Sequence, residues 1–214
     1  MKISFIYFYG PDGAGKTTHA KIVAYYLRRL GYPAKYANVK FHHMLSYIIL
    51  RLLYQTNSPE WYRGFYPSLN RRIHLSWKIL ELMSIMPAIF FRVIVPMTLG
   101  YIIICDRYLL DSLVTLSYFL KDPSLVSGRL ARVLVALIPR GSLLFWMDGN
   151  VDVLLSRKGD EPLSAELLEY YRCAYRRLLG IIRLRGLNPV YINTSVGDLK
   201  ATVVRVIKEV SKRL

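Results

Sequence analysis

The segment that most constrains this chain is the glycine-rich stretch at 10–17, which reads G-P-D-G-A-G-K-T. The apolar run ISFIYFY precedes it at 3–9, and a helical pattern follows it over 16–30 and ends at Gly31. A strand, a loop of the form G-x-x-x-x-G-K-T and a helix together predict a loop that wraps phosphate groups. Glycines allow a tight turn whose N–H groups point at phosphate oxygens, and the helix start adds a positive dipole end.

The polar residues of this loop predict how a nucleotide is held. Lys16 would place its charge on the β- and γ-phosphates, and the Thr17 hydroxyl would be a ligand of Mg²⁺. The sequence therefore predicts a nucleotide site with magnesium, in which the whole loop binds the phosphates: Gly10, Pro11, Asp12, Gly13, Ala14, Gly15, Lys16, Thr17 and Thr18.

Apolar runs that recur along the chain predict the fold. They lie at 3–9, 34–39, 101–105, 142–147 and 189–193. Runs that are apolar throughout, separated by helical segments, favour parallel strands covered on both faces. Helices are expected at 16–30, 42–55, 68–95 with a proline kink, 108–120, 125–138, 164–185 and 198–212. With no repeat or linker in 1–214, we expect one α/β domain, a doubly wound five-stranded parallel sheet flanked by helices.

Two charged residues follow the third apolar run. Asp106 and Arg107 stand where an open parallel sheet presents residues to its binding crevice. A carboxylate there can orient the metal, so Thr17 and Asp106 are the predicted magnesium ligands. An arginine beside it can hold a second phosphate through two hydrogen bonds. The alternative is a helix-capping aspartate next to a surface arginine.

The charge of the chain is strongly positive, with 30 Lys and Arg against 14 Asp and Glu and a formal net charge of +16. This excess favours anionic partners such as nucleotides, nucleic acid or an acidic membrane surface. We favour a basic, solvated surface around a polyphosphate site, with no stable nucleic-acid complex. Only Cys105 and Cys173 carry thiols, so a disulfide framework is excluded and a reducing cytoplasm is expected.

The apolar stretch 84–105 is long enough to suggest a membrane helix. Pro87, Arg92, Pro96 and Gly100 interrupt it, and a charged pair follows at once. A helix end, a turn and a buried parallel strand explain the stretch better, so we expect no membrane segment.

Four segments, in this order, resemble the thymidylate kinase family: GPDGAGKTTHAKIVAYYLRRLGY at 10–32, LNRR at 69–72, DRYLLDS at 106–112, and RKGDEP at 157–162 with YYRCAYRRL at 170–178. The resemblance implies a P-loop kinase that uses ATP and Mg²⁺ to phosphorylate the phosphate of a deoxynucleotide, with dTMP as acceptor and dTDP as product. It also implies a homodimer formed through helices, for which the apolar 75–95 stretch is suited.

The resemblance also assigns roles to single residues. Arg107 matches the arginine that holds the acceptor phosphate, Arg71 the arginine that contacts the acceptor base, and Asp12 a loop carboxylate near the acceptor sugar and the metal. Arg157 lies where the family begins its lid, here a short segment near 156–164. The predicted catalytic residues are therefore Lys16, Arg107, Arg157 and Asp12, and the 192–198 loop is expected along the adenine.

This chain departs from the family at three positions. Tyr9 replaces the usual Glu, and Pro67 stands where an aromatic residue stacks on the base, so Tyr66 or Phe65 is the expected substitute. Asp111 stands where the family has Ser. The predicted acceptor-binding set is Asp12, Tyr66, Arg71, Arg107 and Asp111.

Two alternative functions remain open at this point. Asp111 favours a kinase of another small acceptor, a nucleoside or a different nucleotide, because a carboxylate accepts hydrogen bonds from hydroxyl groups but repels phosphate. The charge of +16 favours a P-loop ATPase stimulated by nucleic acid.

Overall fold

Five parallel strands form the centre of the fold, at the places where the apolar runs predict them. The structure, a computed structural model, describes residues 3–39, 74–157 and 164–214. The strands are β1 (Phe5–Tyr9), β2 (Ala34–Asn38), β3 (Ile102–Asp106), β4 (Leu143–Asp148) and β5 (Val190–Asn193). Their order is β2-β3-β1-β4-β5, with every neighbouring pair parallel. Phe8 of β1 lies beside Asp106 on one side and Phe145 on the other, so these three strands end at one edge of the sheet.

Eight α-helices surround the sheet in the described parts of the chain. They are α1 (Lys16–Arg29), α2 (His74–Ile89), α3 (Val95–Thr98), α4 (Leu109–Phe119), α5 (Arg129–Ala136), α6 (Val151–Ser156), α7 (Ala165–Leu184) and α8 (Leu199–Ser211). A π-helical turn, Phe90–Ile94, joins α2 to α3, and a 3₁₀ turn, Pro123–Val126, precedes α5.

Both faces of the sheet are buried, as the uniformly apolar runs predict. Phe5, Tyr7 and Tyr9 of β1 point to a core shared with α2, α4, α5 and α7. Ile6 and Phe8 point to a second core shared with α1, α6 and α8. The doubly wound α/β fold is therefore confirmed.

Several helix boundaries differ from the predicted ones. The single helix predicted at 125–138 is wrong, because a 3₁₀ turn and α5 divide this stretch at Gly128. A Cβ at Gly128 would lie 2.9 Å from the carbonyl oxygen of Ser124, so the turn needs a glycine there. The six-residue α6 is absent from the prediction. The helix predicted at 42–55 lies outside the described residues, as does 68–73 of the next one.

The apolar stretch 84–105 is a helix end, a turn and a strand, as predicted. The helix ends at Thr98, Gly100 turns the chain with a φ of 85°, and β3 begins at Ile102. By length and composition alone, Lys78–Thr98 could cross a membrane, and 31% of its most apolar 18-residue stretch is buried in the fold.

Candidate phosphate-binding site

The glycine-rich loop connects β1 to α1, and its glycines are required by the backbone. Gly10 has a φ of 141°, and a Cβ there would lie 1.9 Å from the carbonyl oxygen of Met147 in β4. Gly13 has a φ of 82°, and its Cβ would lie 2.5 Å from the carbonyl oxygen of Leu154. Side chains at either position would push the loop away from its neighbours. The loop is thus held against β4 and α6 by contacts that only glycine permits.

Lys16 is buried inside the curve of this loop. Its Nζ donates to the carbonyl oxygens of Gly10 at 2.6 Å and Pro11 at 2.8 Å, and lies 3.5 Å from Oδ1 of Asp12. Burial lowers the pKa of Lys16, Asp12 opposes this shift, and nearby Arg107 reinforces it. The ammonium group is therefore fixed where the loop backbone would surround a phosphate.

Thr17 and Asp106 meet at the edge of the sheet. The Thr17 hydroxyl donates to Oδ2 of Asp106. Oδ1 of Asp106 accepts from the Tyr36 hydroxyl at 2.7 Å and from Nδ2 of Asn38 at 2.9 Å. Burial and this hydrogen bond raise the pKa of Tyr36 to about 12. A hydroxyl and a carboxylate fit Mg²⁺, which prefers oxygen ligands and takes few of them from the protein when it binds nucleotides.

Arg107 crosses from the end of β3 to the loop. Its Nη2 donates to Oδ1 of Asp12, and its side chain is 19% exposed. Burial, the largest single influence, disfavours the charged guanidinium, but Asp12 and Asp111 together with two nearby tyrosines outweigh it, so the pKa of Arg107 is raised. The alternative of a capping aspartate and a surface arginine is wrong, since Tyr108 is the N-cap of α4 and Asp106 bonds to Thr17 instead.

One cavity brings these groups together. It has a volume of about 280 Å³ and is lined by Asp12, Gly13, Gly15, Lys16, Thr17, Thr18, Arg107 and Arg157. Arg157 closes one side, where its Nη1 and Nη2 donate to the hydroxyl (3.1 Å) and the carbonyl oxygen (2.6 Å) of Thr194. Thr194 lies just beyond β5, so this contact joins Arg157 to the 192–198 loop.

These observations can be compared with known proteins. No family model and no curated protein matches the sequence. Among solved structures, thymidylate kinase from Ehrlichia chaffeensis is similar, with a TM-score of 0.60 and 19% sequence identity. The likeness covers 98% of this chain and 100% of that one. The chain therefore shares the overall fold of that protein.

Asp111 corrects one sequence-based expectation within this fold. Its side chain does not line the cavity and is 6% exposed. Oδ2 accepts from the Tyr7 hydroxyl and the Tyr108 N–H, and Oδ1 accepts from the Tyr175 hydroxyl. A carboxylate enclosed in this way offers no oxygen to a substrate. The predicted direct contact with the acceptor is therefore wrong.

Three of the predicted elements of the acceptor site and lid lie outside the described residues. They are Tyr66, Arg71 and the lid segment 158–163. Their roles stay predictions, whereas the loop residues, Arg107 and Arg157 converge on the cavity.

Sequence reasoning missed the buried polar contacts that support the site. Tyr7 and Tyr175 hold Asp111, and His19 joins the first helix to the last. Tyr7 could have been singled out, because a tyrosine in a buried strand needs a partner for its hydroxyl. Nothing local identifies the partners, since 104 positions separate Tyr7 from Asp111 and 183 separate His19 from Thr202.

Proposed function

We propose that this protein is a nucleoside monophosphate kinase that transfers the γ-phosphoryl group of ATP to dTMP, giving dTDP and ADP. The observation that carries the proposal is the convergence of Lys16 and Arg107 on Asp12 at one cavity. Two cations from different elements suit a reaction between two phosphates, because one can hold the donor and the other the acceptor.

In this proposal the loop and Lys16 bind the donor phosphates, while Thr17 and Asp106 hold Mg²⁺. When bound there, the metal would neutralise part of the negative charge of the phosphates. Arg107 holds the acceptor phosphate, and Arg157 adds positive charge at the cavity wall. No covalent intermediate is needed, since the protein aligns the two polyanions, offsets their repulsion and excludes water.

The choice of dTMP rests on the resemblance of the 10–32 and 106–112 segments to thymidylate kinases. Asp111 no longer favours a hydroxyl-rich acceptor, because its oxygens are occupied within the protein. An ATP-dependent enzyme of nucleotide metabolism also suits a cytoplasmic location.

An acceptor screen tests this function. The wild-type protein and Lys16→Ala would be given ATP and Mg²⁺ with dTMP, dUMP, other nucleoside monophosphates or thymidine, and ADP release would be followed by a coupled assay. We expect ADP release that depends on dTMP and is lost in Lys16→Ala. Preference for thymidine would point to a nucleoside kinase, and acceptor-independent ADP release stimulated by DNA would point to an ATPase.

We further infer that two copies associate through an apolar stripe on α2 and the π-helical turn. Its exposed members are Ile79 (55%), Met83 (57%), Phe90 (49%), Phe91 (67%) and Ile94 (40%). Residues 79, 83, 90 and 94 recur at helical spacing on one side, so the stripe continues over four turns. Contiguous apolar surface of this kind favours a protein partner, and the family resemblance favours a second copy.

A further inference from the structure

Asp111 links three elements of the fold through its two carboxylate oxygens. Oδ2 accepts from the hydroxyl of Tyr7 in β1 at 2.5 Å and from the N–H of Tyr108 before α4 at 3.0 Å. Oδ1 accepts from the hydroxyl of Tyr175 in α7 at 2.8 Å. Tyr7 and Tyr175 are both fully or almost fully buried. The carboxylate is thus a junction between the strand that enters the loop, the helix that follows Arg107 and the long helix α7.

The bond to Tyr108 acts directly beside Arg107. Arg107 has a φ of 71°, in the left-handed region that a residue with a side chain adopts only when its surroundings impose it. Its N–H donates to the carbonyl oxygen of Phe8, and its own carbonyl oxygen accepts from the N–H of Val39, both at 3.3 Å. The next peptide N–H, that of Tyr108, is held by Asp111. Asp111 therefore fixes the C-terminal side of the turn that carries Arg107.

The charge of Asp111 also favours this arrangement. Its three hydrogen-bond donors are neutral groups, so the compensating charges are Lys16 and Arg107. Burial raises the pKa of Asp111, and these two cations oppose the shift. In return, Asp111 follows Asp12 among the groups that raise the pKa of Arg107. The carboxylate of Asp12 accepts a hydrogen bond from Arg107 at the cavity, and the carboxylate of Asp111 favours the charged guanidinium from within the core.

We propose that Asp111 is a positioning residue for phosphoryl transfer, which sets Arg107 against the phosphate-binding loop by anchoring its turn to β1 and α7. This inference rests on the proposed function for its kinetic consequence, but its geometric content is independent of any activity. The role differs from general support of the fold, because it predicts a loss confined to the acceptor side of the reaction.

The test uses two variants and a matched control. Tyr175→Phe removes one hydroxyl donor while the charge and the bond to Tyr108 remain. Asp111→Asn removes the charge, and its amide oxygen can still accept from the Tyr108 N–H. The control is Tyr170→Phe, since Tyr170 also joins α7 to α4, through a 3.0 Å bond to Ser117 that does not involve Asp111.

We expect both variants to raise the KM of the acceptor and lower kcat, with a loss of about ten- to hundredfold in kcat/KM, as displacement of a positioning group causes. The KM for ATP should change less than about twofold, and the control should match the wild type. Melting temperatures show that each variant is folded. If Asp111→Asn does not fold, Tyr175→Phe decides. Equal losses in kcat/KM for ATP and for the acceptor, or no loss in kcat/KM for either substrate, would overturn the proposal.

A second measurement does not depend on activity. Backbone ¹⁵N relaxation of Arg107 should report a rigid amide in the wild type and in Tyr170→Phe, and greater mobility in Tyr175→Phe and Asp111→Asn. If the wild type transfers phosphate to no acceptor, the proposed function fails, but this comparison still decides on Asp111. An Arg107 amide that is equally rigid in all four proteins would contradict the positioning role.

Discussion

At the scale of single residues, Arg107 is the side chain that connects the end of β3 to the phosphate-binding loop, through Asp12. Its place after an apolar run predicts a side chain at the binding edge of the sheet, and the side chain does reach the loop. Its left-handed backbone was not predictable, because the backbone groups that bind it belong to Phe8 and Val39, which lie far from Arg107 in the chain. The identity of Asp111 is visible in the sequence, but its enclosure by two tyrosines is not.

Lys16→Ala should abolish phosphoryl transfer and leave the protein folded. The ammonium group is the charge buried within the loop, and loss of one preorganised contact of this kind costs about 3 kcal/mol of transition-state stabilisation. Steady-state rates together with circular dichroism test this. A folded Lys16→Ala protein with wild-type turnover would mean that the loop is not the donor site.

Arg107→Ala should impair the acceptor side of the reaction. The KM of the acceptor should rise and kcat should fall, because the guanidinium both binds and positions the acceptor phosphate. The KM of ATP should stay close to the wild-type value. Arg177→Ala is the control, since Arg177 is an exposed arginine of α7. Weaker ATP binding with an unchanged acceptor KM would assign Arg107 to the donor.

At the scale of secondary-structure elements, strands were predicted better than helices. Every described strand lies within one or two residues of an apolar run, because burial on both faces leaves a continuous signal in the sequence. The six-residue α6 and the division at Gly128 left no such signal. Close packing at glycines accompanies both features: the backbone of Leu154 in α6 lies against Gly13, and the carbonyl oxygen of Ser124 lies close to Gly128.

His19 joins the first and last helices next to the phosphate-binding loop. Its Nδ1 lies 2.9 Å from the carbonyl oxygen of Gly15, which can only accept, so Nδ1 carries a proton. Its Nε2 lies 3.0 Å from the hydroxyl of Thr202 in α8. Burial lowers the pKa of His19 below its ordinary value of 6.5, and Arg157 adds to the effect, although the bond to Gly15 opposes it.

The free energy of unfolding should therefore fall as the pH drops below 6.5, the ordinary pKa of histidine. The unfolded chain binds a proton at His19 near pH 6.5, whereas the folded protein resists protonation to lower pH, so the contribution is present above pH 6.5 and is lost below it. Melting temperatures of the wild type and His19→Gln between pH 7.5 and about 5 test this. The wild type should lose more stability than the variant, and parallel curves would contradict the prediction.

At the scale of the whole molecule, the apolar stripe predicts a dimer. Met83→Glu and Phe91→Glu should each give monomers, because both side chains are more than half exposed in the single chain and a charge there opposes burial in an interface. Sedimentation velocity measures the association state. Leu184→Glu is the control, since Leu184 is 88% exposed at the end of α7 and is not a member of the stripe. A wild-type protein that stays monomeric at tens of micromolar would contradict the dimer.

The overall architecture was predictable in class but not in arrangement. Apolar runs separated by helices predict a parallel α/β sheet, yet the order β2-β3-β1-β4-β5 comes from long-range pairing that no local pattern encodes. That order places β1 between β3 and β4 and so brings Arg107, the loop and Met147 together at the carboxyl ends of the strands. The loop sequence predicts the phosphate site, and the sheet order determines which other residues lie next to the loop.

The most direct test of the central claim is the fate of the γ-phosphate of ATP. Wild-type protein would be incubated with [γ-³²P]ATP, Mg²⁺ and dTMP, and labelled dTDP and labelled inorganic phosphate would be separated and counted. A site built to join two phosphates predicts that most of the label appears in dTDP, with one ADP formed per dTDP. Label that appears only as inorganic phosphate, unaffected by dTMP, would contradict a kinase acting on this acceptor.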